Sequence, residues 1–261
     1  MIGDTRDIGG HPVWVSDTGE GDPVVLLHGG LGSSDDLAPQ AEALAAHHRV
    51  VAFDRRGHGR TADGPDPFSF AAMADETVVV LESVVGGPAH LVGWSDGGIV
   101  ALYVALARPD LVRSLVPIGA NFHHDGLLPE FFDLGADDQV LAVLAAAYAE
   151  RSPDGAEHWA EVLAKSVDLW HGEPNLTVED LARITAPVLV LVGDDEPIPL
   201  SHTCALYESL PNGQLAVVPG TSHVVPLEKA DLVNRLIADF LAEDGPPVTF
   251  MPMRRTRADP A

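Results

Sequence analysis

The chain has 261 residues, enough to bury a large core in one main domain, and its 46% hydrophobic and 21% charged content is that of a packed soluble protein. Its 39 acidic against 15 basic residues give a formal charge of −24, which repels phosphate backbones and anionic lipid, so neither nucleic acid nor a membrane is an expected partner. With Cys204 as the single cysteine there is no internal disulfide and no cysteine-based metal site, which fits a reducing, cytoplasmic setting.

Residues 1–10 are polar and charged, without the apolar stretch of a targeting segment, and no run approaches the roughly 18 apolar residues of a membrane span. Short apolar runs rich in β-branched residues then alternate with helix-patterned stretches. Strands are expected at 12–16, 24–28, 50–54, 89–94, 115–119, 188–193 and 214–218, and helices at 36–47, 70–85, 96–107, 202–210 and 227–242. This alternation predicts an α/β architecture, a mainly parallel sheet flanked by helices.

Residues 121–175 break the rhythm with two helical candidates and no convincing strand. The expected organisation is therefore a core of 1–120 and 176–243 interrupted by a small helical cap at 121–175. Phe122, Phe131, Phe132, Tyr148, Trp159 and Trp170 either line a pocket under that cap or pack its core. Residues 244–261 lose the hydrophobic period and carry Arg254, Arg255 and Arg257, the pattern of a flexible, solvated tail.

Chemistry is concentrated where the fourth strand candidate runs into a helix through Gly93-Trp94-Ser95-Asp96-Gly97-Gly98. A G-x-S-x-G turn at a strand-to-helix bend relieves crowding with its glycines and leaves the serine hydroxyl exposed. The helix that follows points its N–H groups at developing negative charge, so the Asp96 N–H is one expected oxyanion donor. A second is expected from the glycine-rich turn His28-Gly29-Gly30 after an earlier strand, with Gly30 the candidate; the plainer reading of Gly30 is a turn glycine. His28 is expected to shape that loop rather than to move protons.

These segments, with Asp54-Arg55-Arg56-Gly57-His58-Gly59, the strand ending at Gly193 and Gly220-Thr221-Ser222-His223, resemble the α/β-hydrolase superfamily in order and context over nearly the whole chain. The resemblance implies the α/β-hydrolase fold, with Asp54 and Arg55 bracing the loop beside the site. It also implies His223, on the loop between the last strand and last helix, as the general base that activates Ser95. The third member must be a carboxylate that orients the imidazole, and Asp194, Asp195 and Glu196 all follow Gly193. The family usually places an aspartate three residues after that glycine, where this chain has Glu196; a one-residue shift of the loop would present Asp195 instead. Glutamate is an accepted alternative at this place.

Ser95, His223 and Glu196 would support hydrolysis of an ester, thioester, lactone or activated amide of a small molecule through an acyl-enzyme, with no cofactor. Carbon–carbon bond hydrolysis, perhydrolysis and a non-catalytic ligand receptor are the alternatives on the same scaffold. The elbow and Gly119-Ala120-Asn121 further resemble the biphenyl-hydrolase-like hydrolases, which include enzymes acting on amino-acid esters. Asp96 could then pair with a substrate ammonium, or it could simply favour the helix N-terminus. No metal is expected: His123-His124-Asp125 could form a ligand cluster, but adjacent histidines usually point apart. Among the remaining histidines, His47, His48, His158, His171 and His202 are expected at surface helix or cap positions and His90 at the opening of a strand. Oligomeric state is left open.

Overall fold

The structure is a computed structural model that describes residues 1–132, 139–242 and 249–251. Its centre is an eight-stranded sheet in the order β1-β2-β4-β3-β5-β6-β7-β8. The strands are β1 (Asp4–Ile8), β2 (His11–Thr18), β3 (Pro23–Leu27), β4 (Arg49–Phe53), β5 (Ala89–Trp94), β6 (Val112–Ile118), β7 (Val188–Asp195) and β8 (Gly213–Ser222). From β4 to β8 every neighbouring pair is parallel, while β2 is antiparallel to both β1 and β4.

The central strands are buried on both faces. Along β3, Val25 and Leu27 enter the core on one side and Val24 and Leu26 the core on the other, as the two-residue period of a strand requires. Each such side chain contributes about 1.5–3 kcal/mol through burial, which is why these runs read as continuous hydrophobic stretches. The helices among the described residues are α1 (Ala38–Leu44), α2 (Phe70–Val80), α3 (Asp96–Ala107), α4 (Gln139–Arg151), α5 (Trp159–Gly172), α6 (Val178–Leu181), α7 (Leu200–Ser209), α8 (Val225–Glu228) and α9 (Ala230–Leu241). None of the described helices is long and apolar enough to cross a membrane.

Several expected bounds shift. The helix expected over 36–47 is a 3-10 turn, Ser34–Leu37, followed by α1, and the one expected over 227–242 breaks at Lys229 into α8 and α9. The polar first ten residues supply an edge strand, β1, that the hydrophobic pattern does not reveal. Between β6 and β7 lie α4, α5, α6 and short 3-10 turns, and the chain on either side of α4 and α5 meets at an isolated bridge between His123 and Asn175. The expected tail falls outside the described residues except for 249–251, which are exposed.

The topology fixes where a site can form. The chain leaves β3, pairs β4 on one side and then crosses to place β5 on the other, opening a crevice at the carboxyl ends of β3 and β5. The loops carrying His28 to Gly30 and Ser95 both start there.

Candidate active site

Ser95 sits at φ 54° and ψ −121°, a backbone conformation that few non-glycine residues adopt. It is sustained by close packing: a β-carbon on Gly93 would collide with the Gly97 carbonyl, and one on Gly97 would collide with the Leu27 carbonyl. The Ser95 N–H is tied to the Ile118 carbonyl at 2.8 Å, and α3 begins at the next residue. Strand, strained corner and helix thus lift the hydroxyl out of the sheet.

His223 Nε2 lies 3.0 Å from Ser95 Oγ, and its Nδ1 lies 2.6 Å from Glu196 Oε2. The second Glu196 oxygen accepts the Gly193 N–H at 3.0 Å, and the carboxylate is 3% exposed. Asp195 is exposed, and Asp194 instead accepts the N–H groups of Gly220 and Thr221. Of the three acids, Glu196 is the one brought to the imidazole. β7 runs on to Asp195, two residues beyond its expected end, and this carries the loop far enough for the longer side chain to fold back. Gly119 (φ 56°) lies beneath the pair, where a β-carbon would stand 3.1 Å from His223 Nδ1 and 3.3 Å from Glu196 Oε1.

The loop after β3 is held from below. Arg55, fully buried, donates from Nη1 to the His28 carbonyl at 2.6 Å and from Nη2 to the Gly29 carbonyl at 3.1 Å. In a trans peptide the N–H points opposite to the carbonyl, so fastening these two carbonyls on Arg55 turns the N–H groups of Gly29 and Gly30 the other way. His28 is buried, with Nε2 accepting the Arg55 N–H at 3.1 Å and Nδ1 2.7 Å from the Gly29 carbonyl; burial, with Arg55 nearby, holds its pKa far below the ordinary value. It is a neutral brace. Asp54 accepts from Ser34 and Arg60 and fixes the adjoining loop.

Asp96 is 4% exposed and faces the same cavity as Ser95. Its two oxygens accept the indole N–H of Trp170, in α5, at 3.0 and 3.2 Å. Burial raises its pKa, against the pull of Arg55 and the Trp170 bond. Gly30 is packed against both partners: a β-carbon there would lie 2.5 Å from Asp96 Oδ2 and 2.7 Å from the Trp170 ring. The cavity is about 10 Å³, room for one water, and its walls include Asn121, Phe131, Trp170 and Glu173 besides Ser95, Asp96 and His223. Of the six aromatics between β6 and β7 considered for a pocket, Phe131 and Trp170 line it; Phe122 stacks on His202 and Tyr148 packs against Trp159.

Two expectations about histidines need correction. His202 lies on a helix as expected but is half-buried rather than solvated: its ring stacks on Phe122 at 4.1 Å, Nε2 accepts the Phe122 N–H, and burial pushes its pKa down to about 4. His123 and His124 do not point apart. A 3-10 turn stacks their rings at 4.5 Å, and with Asp125 they bring three ligand-type atoms within 4.8 Å, although His123 Nδ1 already accepts the Asp125 N–H. Trp94 and Gly119 stand in segments that the sequence singles out, but their places beside His223 do not follow from it, and Glu173 on the cavity wall left no sequence signal.

The profile of the alpha/beta hydrolase family matches residues 24–236. The chain belongs to that family. It is an enzyme, an α/β-fold serine hydrolase by its relatives. Human serine hydrolase BPHL is 32% identical over 238 residues, covering 86% of this chain and 81% of the human protein. The RutD protein of Caulobacter sp. (strain K31), provisionally named a carbamate hydrolase, is 33% identical over 246 residues, covering 84% of this chain and 90% of that protein. Among solved structures, the meta-cleavage product hydrolase CumD of Pseudomonas fluorescens IP01 superposes with a TM-score of 0.79 over 92% of this chain and 97% of its own, at 24% identity, a likeness of fold.

Proposed function

We propose that the protein hydrolyses an ester-type bond of a small molecule through an acyl-enzyme on Ser95. The observation that carries this reading is the unbroken chain Ser95 Oγ, His223, Glu196 at 3.0 and 2.6 Å, set on a strained elbow. His223 Nε2 takes the hydroxyl proton as Ser95 Oγ attacks the carbonyl carbon, and the oxyanion is held by the N–H groups of Asp96 and Gly30. The imidazolium, steadied by Glu196, then protonates the leaving group. Water, deprotonated by His223, releases the acid and restores Ser95. The described residues between 121 and 175 act as a cap, since Asn121, Phe131, Trp170 and Glu173 close a cavity of about 10 Å³ that must enlarge before an acyl group can enter.

The Asp96 carboxylate on the cavity wall favours an acyl group that carries an ammonium near the scissile carbonyl, as in an amino-acyl ester. No step in this scheme calls for a metal or an organic cofactor.

The test is intact-protein mass spectrometry after exposure to a fluorophosphonate, beside Ser95→Ala and His223→Ala. One adduct on the wild type that is absent from both variants supports an activated serine. An unreactive wild type, or an adduct that persists in Ser95→Ala, refutes the reading.

A further inference from the structure

Trp94, the last residue of β5, has a role that the hydrolase scheme does not use. Its indole N–H donates to the backbone carbonyl of His223 at 2.8 Å, joining segments 129 residues apart in the chain. Its ring stands 6.1 Å from the imidazole, inclined by 42°. On the other side it borders Gly29, where a β-carbon would lie 3.6 Å from the ring. One half-buried side chain, covalently next to Ser95, therefore touches both the loop that carries the base and the loop expected to hold the oxyanion.

The rest of the His223 loop is fastened away from the nucleophile. Asp194 takes the N–H groups of Gly220 and Thr221, and Glu228 takes the N–H and hydroxyl of Ser222. These contacts set the loop on β7 and α8. The Trp94 bond refers the His223 main chain directly to the elbow, and so to Ser95 itself.

We propose that Trp94 is a positioning residue, whose indole N–H sets the distance and orientation of His223 against Ser95 by holding the His223 carbonyl. This rests on the acyl-enzyme reading above. A ring that merely fills space would need its shape and not its N–H, whereas a positioning residue needs the N–H. Displacements of about 1 Å in a reacting pair can cost a hundredfold in rate, so loss of this single donor should be visible in turnover.

The experiment replaces Trp94 with 3-benzothienylalanine, which keeps the bicyclic shape and removes the donor, and with phenylalanine (W94F) as a second variant. The second-order rate of fluorophosphonate labelling is measured with kcat and KM on p-nitrophenyl butyrate, the pH profile and the thermal midpoint. The expected result is a tenfold or greater fall in labelling rate and kcat for the isosteric variant. KM should stay within twofold, and the acid limb of the pH profile and the thermal midpoint should be unchanged. Labelling and turnover within twofold of wild type overturn the proposal, as does a rise in KM at constant kcat, which would assign Trp94 to substrate binding. A wild type that fails to label at all removes the serine reading and this inference with it; a labelled wild type matched by the isosteric variant removes only the positioning role.

Discussion

Shortening the acid by one methylene tests the triad most directly. Glu196→Asp draws the carboxylate back by about one carbon–carbon bond, about 1.5 Å. The 2.6 Å contact to His223 Nδ1 then opens to about 4 Å, beyond hydrogen-bond range. Glu196→Gln keeps the reach and the bond to the Gly193 N–H but removes the charge that steadies the imidazolium. Loss of the orienting acid in a serine triad costs up to about 10⁴ in kcat, so both variants should fall by at least about 10² while Asp195→Asn, at an exposed position, stays near wild type. The assay is steady-state hydrolysis of an activated ester, with fluorophosphonate labelling rates as a check that needs no substrate choice. Severe loss in Asp195→Asn with Glu196 variants within threefold of wild type would refute the assignment and restore the shifted-loop alternative.

Two further outcomes follow from buried charge. His58 is buried between His28 and Phe68, its Nε2 meets no partner, and burial pushes its pKa down to about 3. A base held neutral in the fold but titrating near 6.5 when unfolded lets the unfolded state take up more protons below that pH, so stability falls as pH falls. Between pH 7 and 5 the loss is about 2 kcal/mol for this one group, and urea unfolding of His58→Phe should lack that increment; equal pH dependence in both proteins would refute it. Asp63, 3% exposed, receives Lys165 of α5 at 2.7 Å and His158 at 2.8 Å, and although burial raises its pKa these bonds outweigh it and leave it lowered. Its contribution is therefore present above about pH 4 and lost as pH falls through the lower folded value. Lys165→Met, which leaves His158 on Asp63, should destabilise by about 1.5–3 kcal/mol at pH 7, with the difference from wild type shrinking below pH 4; a constant difference would show that packing, not charge, is at stake.

What could be read from the sequence depended on whether a local pattern sufficed. The strands 89–94 and 24–28 announce themselves because both faces are buried, and the helix 96–107 is found at its observed bounds because the elbow fixes its start. β1 escaped because Asp-Thr-Arg-Asp-Ile shows no apolar alternation; it is a strand only because it pairs with β2. Ser95 and His223 were legible from motif order, while Glu196 was the favoured acid with Asp195 left open, and the structure brings Ser95, His223 and Glu196 together. Trp170 was legible as an aromatic but not as a partner, since its bond to Asp96 joins residues 74 apart. Lys165 and Asp63, 102 apart, left no trace at all. Contacts of this kind depend on how α5 lies against the start of α3 and the loop that holds Asp63, which no spacing rule encodes.

The position of Asp96 raises a last question of charge. A carboxylate directly after the nucleophile opposes an oxyanion forming beside it, by about 3 kcal/mol at about 5 Å and an effective dielectric of about 20. Arg55 and the Trp170 N–H offset part of this, yet burial still raises the Asp96 pKa, so the carboxylate remains under-compensated. A substrate ammonium would supply the missing countercharge where the acyl group binds; a plain acyl ester would not. Asp96→Asn should then act in opposite directions, lowering kcat/KM for an amino-acyl ester by about tenfold or more and leaving a plain ester of equal size unchanged or faster. The ratio of the two rates is the quantity to measure, because damage to the elbow would lower both. An unchanged ratio would refute the ammonium reading and leave Asp96 as a helix N-terminal acid held by Trp170.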